Sequence, residues 1–259
     1  MQFKEKLPLY LLAEITSILR AENGCAWDRE QTSQSLKPYL IEESYELYDA
    51  IESGDADHIR EELGDLLYQI YAHAQIAMEE SRFTIDDVAS DISRKLIRRH
   101  PHVFGNEEAR TSGEVMEQWE KIKKVEKSHR ESILDGVPKH LPALLKAYRI
   151  QQKASRIGFD WEKIDDVFKK IYEEIDEFKE ALEKKDMHNM TEEAGDLLFS
   201  IVNVLRFVKI NPEEALQKTV NKFITRFRHI EKRTGEMGRA MEDMTLKELD
   251  ELWDEAKRQ

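Results

Sequence analysis

Two acidic clusters recur in the same arrangement in the two halves of this chain. The first half carries Glu42-Glu43-Ser44-Tyr45-Glu46, and sixteen residues beyond Glu46 stands Glu62-Leu63-Gly64-Asp65. The second half carries Glu173-Glu174-Ile175-Asp176-Glu177, and sixteen residues beyond Glu177 stands Glu193-Ala194-Gly195-Asp196. One offset, 131 residues, relates Glu43 to Glu174 and Glu62 to Glu193. Residues three apart on a helix share a side, one turn from each other. Two antiparallel helices carrying such pairs can therefore bring four carboxylates to one point. Left uncompensated, those charges repel. A hard divalent cation relieves the repulsion, and Mg²⁺ takes oxygen ligands of this kind, usually together with phosphates. The chemistry implied is metal-dependent reaction at phosphate, with Mn²⁺ able to substitute. A carboxylate outside the metal's own ligand set can orient or deprotonate an attacking water. Glu173 and Glu192 are the candidates, and the residues alone do not choose between them.

The elements that must position these groups are helices. Leu63, Leu66, Leu67, Ile70, Tyr71, Ala74 and Ala77 follow three-four spacing, and Ala194, Leu197, Leu198, Ile201, Val202, Leu205 and Val208 repeat it at the same offset. The helix before the second cluster shows a stripe of Phe168, Ile171, Ile175, Phe178 and Leu182. No stretch alternates as a strand would, so the expectation is an all-α fold. Further echoes are Gly24-Cys25-Ala26-Trp27 with Gly158-Phe159-Asp160-Trp161, Lys95 and Arg99 with Lys222 and Arg226, and Trp119 and Lys123 with Trp253 and Lys257. A duplicated unit of four or five helices accounts for them. The expected domains are 1–130 and 138–259, joined through the Gly- and Pro-containing stretch 127–142.

The plainer reading of the acidic residues is a solvated helix face. A helical wheel sets Glu174, Glu193 and Asp196 roughly 80° or more from the centres of their apolar stripes. Against it stand the recurrence of the clusters and the glycines, Gly64 and Gly195, inside strong helical patterns. A mid-helix glycine costs about 1 kcal/mol relative to alanine, so a packed helix or a ligand is expected against that backbone. Lys222 and Arg226 share a helix face and can hold outer phosphates beside a carboxylate-bound metal.

Composition narrows the function classes. The chain has 259 residues, 36% of them charged, and a formal net charge of −13, which opposes general nucleic-acid binding. The basic run from Arg94 to His102 reads instead as a helix end before Pro101, with His100 and His102 as surface or capping residues. A single cysteine, Cys25, fits a reducing cytosol. The interrupted apolar pattern of residues 1–19 reads as neither a signal peptide nor a membrane span. A di-iron bundle wants Glu-x-x-His on two helices, and the single match is Glu126 to His129. No Gly-rich phosphate loop, Ser-His-Asp set or dinucleotide fingerprint is present.

Both copies of Glu-Glu-x-x-Glu, spacer, Glu-x-x-Asp, together with Asn23-Gly24-Cys25-Ala26-Trp27-Asp28-Arg29-Glu30-Gln31-Thr32, resemble the MazG nucleoside triphosphate pyrophosphohydrolases. Ala26 stands where that family usually has proline. The resemblance implies an all-α homodimer that hydrolyses a nucleoside triphosphate to monophosphate and pyrophosphate. It implies metal ligands at Glu174, Glu177, Glu193 and Asp196, with a second set at Glu43, Glu46, Glu62 and Asp65. Nucleotide contacts are implied at Lys170, Lys222, Arg226, Trp253 and Lys257. Tyr39 occupies the first-half position of Lys170, so the second half is the favoured catalytic site. The competing class is a non-catalytic nucleotide sensor or helical scaffold with vestigial metal sites.

Overall fold

The computed structural model describes residues 7–126 and 131–258, and it falls into two compact units divided between Ser128 and His129. Among the described residues there are twelve α-helices, one 3₁₀ turn and no strand. The first unit holds α1 (Pro8–Arg20), α2 (Ala26–Glu30), α3 (Lys37–Ser53), α4 (Ala56–Glu79), α5 (Ile85–Arg99), α6 (Pro101–Phe104) and α7 (Ser112–Glu126). The second holds α8 (Ala143–Ser155), α9 (Ile164–Lys184), α10 (Met187–Phe207), α11 (Pro212–Glu236), the 3₁₀ turn Met241–Asp243 and α12 (Leu246–Ala256). Apart from the short α2 and α6, each unit has five helices in corresponding order. Residues 1–6, including the start of the stretch read for a leader, and His129 of the Glu-x-x-His match lie outside the described residues.

The hairpins α3–α4 and α9–α10 are built alike because their turns carry matching chemistry. Gly54 closes α3 at φ +72°, and Asp55 then accepts from the backbone N–H groups of Asp57 and His58. At the same offset Lys185 closes α9 in the left-handed region at φ +53°, and Asp186 accepts from His188 and Asn189 N–H. A side-chain oxygen at the N-cap supplies an acceptor for donors that lack an intrahelical partner. Small residues let the paired helices approach, with Ala50 and the matching Ala181 fully buried. Leu36 and Val167, also equivalent, are buried at the opposite, N-terminal ends of the same two helices.

Other helices brace each hairpin. In the first unit Arg20 of α1 pairs with Glu79 of α4 at 2.8 Å, and the Tyr68 hydroxyl donates to Asp28 at 2.9 Å. Burial, followed by that bond to Asp28, pushes the Tyr68 hydroxyl up to about 12. In the second unit Gln151 of α8 donates to the Phe199 carbonyl of α10 at 2.8 Å. The Lys153 ammonium donates to the carbonyls of Ile133 and Asp135 at 2.8 and 3.1 Å. The described part of the expected linker is thus held to the second unit. His100 Nδ1 lies 2.7 Å from the Leu96 carbonyl at the end of α5, in keeping with a capping role. No helix among the described residues is long and apolar enough to cross a membrane.

The cap of α12 yields a pH prediction. Thr245 and Glu248 form a capping box, and Arg239 also holds Glu248, at 2.7 Å. The Arg239 bond first, then those from Thr245, bring the Glu248 carboxyl from 4.5 down to about 2. A carboxyl depressed by folding contributes stability above its unfolded pKa, and that contribution is lost as pH falls through the folded value. Urea midpoints of the wild type should therefore drop more steeply from pH 4.5 toward 2 than those of Glu248→Gln. Parallel curves would show that the cap adds nothing.

Candidate metal centre

Helix spacing and hairpin pairing together gather carboxylates at two places. Glu43 of α3 joins Glu62 and Asp65 of α4, each offering an oxygen within 4.8 Å of the others. Glu174 and Glu177 of α9 join Glu193 of α10 within the same limit. Each cluster thus holds three of the four expected carboxylates. Glu46 lies outside the first group, although its charge still helps to raise Glu43. Asp196 lies outside the second and lines the adjoining cavity with Glu174 and Lys170.

Burial departs from the helical wheel. Glu174 is only 5% exposed and Glu62 only 8%, because the antiparallel neighbour covers the flank that an isolated helix leaves open. Such burial disfavours charge unless it is matched. In the second cluster the matching group is Lys170, whose ammonium lies 2.7 Å from Glu174 and 2.8 Å from Glu173. Its bonds to Glu173 and Glu174 raise the Lys170 pKa. Glu177 is pushed up by desolvation and then by Glu174, with Lys170 acting the other way.

The first cluster has no such lysine. Tyr39 stands there instead, its ring edge-on to Trp27 at 5.9 Å between centroids. Glu43 is raised by desolvation, then by Asp65 and Glu46, and receives only a long 3.5 Å bond from Gln69. The buried Glu62 Oε2 has no partner, while its Oε1 lies 3.2 Å from His58. An unpaired buried carboxylate oxygen beside two further carboxylates is the donor set of a hard cation, so the residues fit a divalent metal.

The glycines correct one expectation. A Cβ built at Gly64 or Gly195 would meet nothing within 4 Å, so no packed helix explains either residue. Gly64 stands one position before Asp65 of the first cluster and Gly195 one position before Asp196 on the cavity side, and both face open space.

Comparison with known proteins places both hairpins within one family's domain. The family model of the MazG nucleotide pyrophosphohydrolase domain matches residues 31–104 and again residues 163–231. This chain belongs to the MazG family. The matched segments contain the two carboxylate hairpins. The Thermotoga maritima protein named nucleoside triphosphate pyrophosphohydrolase/pyrophosphatase MazG is 49% identical over 251 residues, covering 95% of this chain and 96% of that one. The Escherichia coli K12 nucleoside triphosphate pyrophosphohydrolase is 44% identical over 253 residues, 96% of either chain. The uncharacterized Bacillus subtilis protein YabN is 51% identical over 259 residues, 98% of this chain but 53% of its own length.

The remaining residues expected in this MazG chain lie on α9, α10 and α11 and on or just beyond α12. Lys222 is exposed on α11, and Arg226 lies over the Trp253 ring at 5.5 Å from its centroid. Trp253 also packs on Phe223 at 5.1 Å, which ties α12 to α11. Lys257 pairs with Asp254 at 2.8 Å. Of the water-orienting candidates, Glu173 is joined to the cluster through Lys170, whereas exposed Glu192 lies 3.3 Å from His188.

In the first half Arg99, the counterpart of Arg226, is held by Glu126 at 2.5 Å, and Arg98 grips the same carboxylate at 2.7 Å. These two guanidiniums, Arg99 first, bring the Glu126 carboxyl down to about 2. Lys123 lies 3.6 Å from the centroid of the Trp119 ring. The partners of the Glu126 clamp are 27 and 28 residues apart on different helices, so no single helix's spacing reveals it.

Proposed function

We propose that this protein is a Mg²⁺-dependent nucleoside triphosphate pyrophosphohydrolase, acting on NTP and dNTP as a homodimer in the cytosol, with the second-half cluster as its working centre. The observation that carries this reading is the convergence of Glu174, Glu177 and Glu193 beside Lys170, in a chain of the MazG family. Glu174, Glu177 and Glu193 would hold the metal, with Asp196 completing the set on the cavity side. When bound, the metal would withdraw charge from phosphate oxygens and favour in-line attack at the α-phosphorus. The chain's own groups then divide the remaining work. Lys170 exchanges its bonds to Glu173 and Glu174 for phosphate oxygens. Glu173, released from the lysine, accepts the proton of the attacking water. The bond from the α-phosphorus to the bridging oxygen breaks, and pyrophosphate leaves with its charge offset by Lys222 and Arg226.

The first-half cluster has ligands but no lysine at position 39, and its Arg99 is already committed to Glu126. Its role in this reading is structural or regulatory. The deciding experiment incubates the protein with each NTP and dNTP in Mg²⁺ and identifies the products. Monophosphate with pyrophosphate supports the reading. Diphosphate with orthophosphate, or no reaction, overturns it.

The dimer rests on uncovered apolar side chains, among them Leu198 on α10 and Leu216, Val220 and Phe223 on α11. Light scattering at micromolar concentration should give about twice the chain mass of 30.5 kDa. A monomer that retains full activity contradicts it.

A further inference from the structure

A cavity of about 730 Å³ lies in the second unit and opens beside the carboxylates, with Lys170, Glu174 and Asp196 in one part of its wall. Another part of that wall is not helix. Ser132, Ile133 and Leu134 line it, and they belong to residues 131–137, the first described stretch of the second unit. The chain therefore forms one side of the cavity before it reaches α8.

This stretch holds its own shape. Asp135 Oδ2 accepts from the Ser132 N–H at 3.0 Å, and Ser132 Oγ accepts from the Leu134 N–H at 3.1 Å. Side-chain oxygens bonded to nearby backbone N–H groups stabilise turns in this way. Two backbone bonds complete successive turns: Asp135 N–H donates to the Ser132 carbonyl at 3.1 Å, and Val137 N–H to the Leu134 carbonyl at 3.3 Å. Gly136 sits in the second turn at φ +80°, which a residue with a Cβ adopts only at a cost.

Its attachment to the rest of the unit is of another kind. Residues 131–136 are all exposed, Ile133 by 46% and Leu134 by 40%, so core burial does not fix them. The Lys153 ammonium of α8 reaches two of their carbonyls, Ile133 at 2.8 Å and Asp135 at 3.1 Å. An ammonium carries several donors and its bonds are charge-assisted, so one side chain grips both oxygens. Helix α8 is itself fixed, since Gln151 ties it to α10. A segment with internal bonds, little buried surface and an exposed side-chain anchor opens readily, and it can leave as a unit with its turns intact.

We propose that residues 132–137 are a strap that swings off to admit the cavity's ligand and closes on it, with Lys153 as the latch. On the reading of the adjoining cluster as the phosphate end of a nucleotide site, on which this assignment rests, that ligand is a nucleoside triphosphate. Lys153 is then a positioning residue, because it holds the strap and not the phosphates. Closure on the ligand covers the exposed parts of Ile133 and Leu134, and that apolar burial favours the closed state. A ligand that binds the closed state better shifts the strap toward it.

Hydrogen exchange on the full chain, followed by mass spectrometry, reads the strap through the Asp135 and Val137 amides. Lys153→Met should speed exchange there about tenfold, whereas Lys153→Arg, which keeps a charged donor, should stay within about threefold of the wild type. Mg²⁺ with the non-hydrolysable α,β-methylene analogues of the NTPs should slow exchange of the wild-type strap about tenfold. Unchanged exchange in Lys153→Met, or failure of every analogue to slow the wild-type strap, overturns the proposal whatever hydrolysis shows. Slowing without hydrolysis of any NTP keeps the strap and rejects the catalytic reading. In turnover, Lys153→Met should raise KM for NTP about tenfold with kcat changed less than about threefold, and Lys153→Arg should restore it. A loss confined to kcat overturns the latch. Should Lys153→Met fail to fold, Gly136→Ala strains the exposed strap itself and should give the same changes in exchange and KM.

Discussion

Glu177→Gln should lower pyrophosphate release by about a hundredfold or more while leaving the protein folded. The substitution keeps shape and volume but removes one of the three carboxylates that converge from α9 and α10. At an effective dielectric of about 20, unit charges 4 Å apart interact by about 4 kcal/mol, and a divalent ion doubles the stake. Even a fraction of that, taken from the transition state, exceeds a hundredfold in rate. The metal-free protein should respond in the opposite direction. Glu177 has its pKa raised by desolvation and by Glu174, so its negative charge is a strain on the empty cluster. Thermal unfolding in chelator should thus show the variant at least as stable as the wild type, which separates lost chemistry from lost fold.

Glu46→Gln makes the same change in the first half and should cost no more than a few-fold. Glu46 lies outside the first carboxylate group, Tyr39 supplies no cation, and Arg99 is already paired with Glu126. Assays of the two variants at saturating Mg²⁺ and NTP decide the assignment. If Glu46→Gln abolishes activity and Glu177→Gln is nearly silent, the working site is in the first half, and the lysine was the wrong criterion.

What the residues revealed in advance follows from which interactions are local. The offset of 131 marked both hairpins, because a duplicated turn needs its cap, and Gly54-Asp55 and Lys185-Asp186 supply it at matching positions. The helical pattern was legible for the same reason, since three-four spacing expresses one helix's own geometry. Burial of Glu174 was not legible: a wheel describes one helix, and the covering surface comes from its neighbour. Gly64 and Gly195 showed that something should approach the backbone, but the neighbour expected there is not a helix of the same unit. The Glu126 clamp and the bond from Gln151 to the Phe199 carbonyl depend on pairings between elements. The one local trace of the latter is a glutamine in line with Ala147, Ile150 and Ala154 on α8.

Removing divalent metal should abolish turnover, and adding Mg²⁺ or Mn²⁺ should restore it. Both described clusters contain only carboxylates, which favour hard cations over those that seek nitrogen or sulfur. The unpartnered Glu62 Oε2 and the raised pKa of Glu43 and Glu177 show that these oxygens are not fully compensated by the protein. Binding should therefore also stabilise the fold, by about 2.7 kcal/mol when Mg²⁺ stands at a hundred times its dissociation constant. Lys170 makes the prediction sharper. Its ammonium sits 2.7 Å from Glu174, so it competes with the metal for that carboxylate before nucleotide arrives. Lys170→Met removes the competitor and leaves the carboxylates less neutralised. Calorimetric titration should then show tighter Mg²⁺ binding, while KM for NTP rises because a phosphate contact is gone. Full turnover in excess chelator would sink the metal reading altogether. Weaker Mg²⁺ binding in Lys170→Met would mean that the lysine organises the carboxylates for the ion rather than standing in for it.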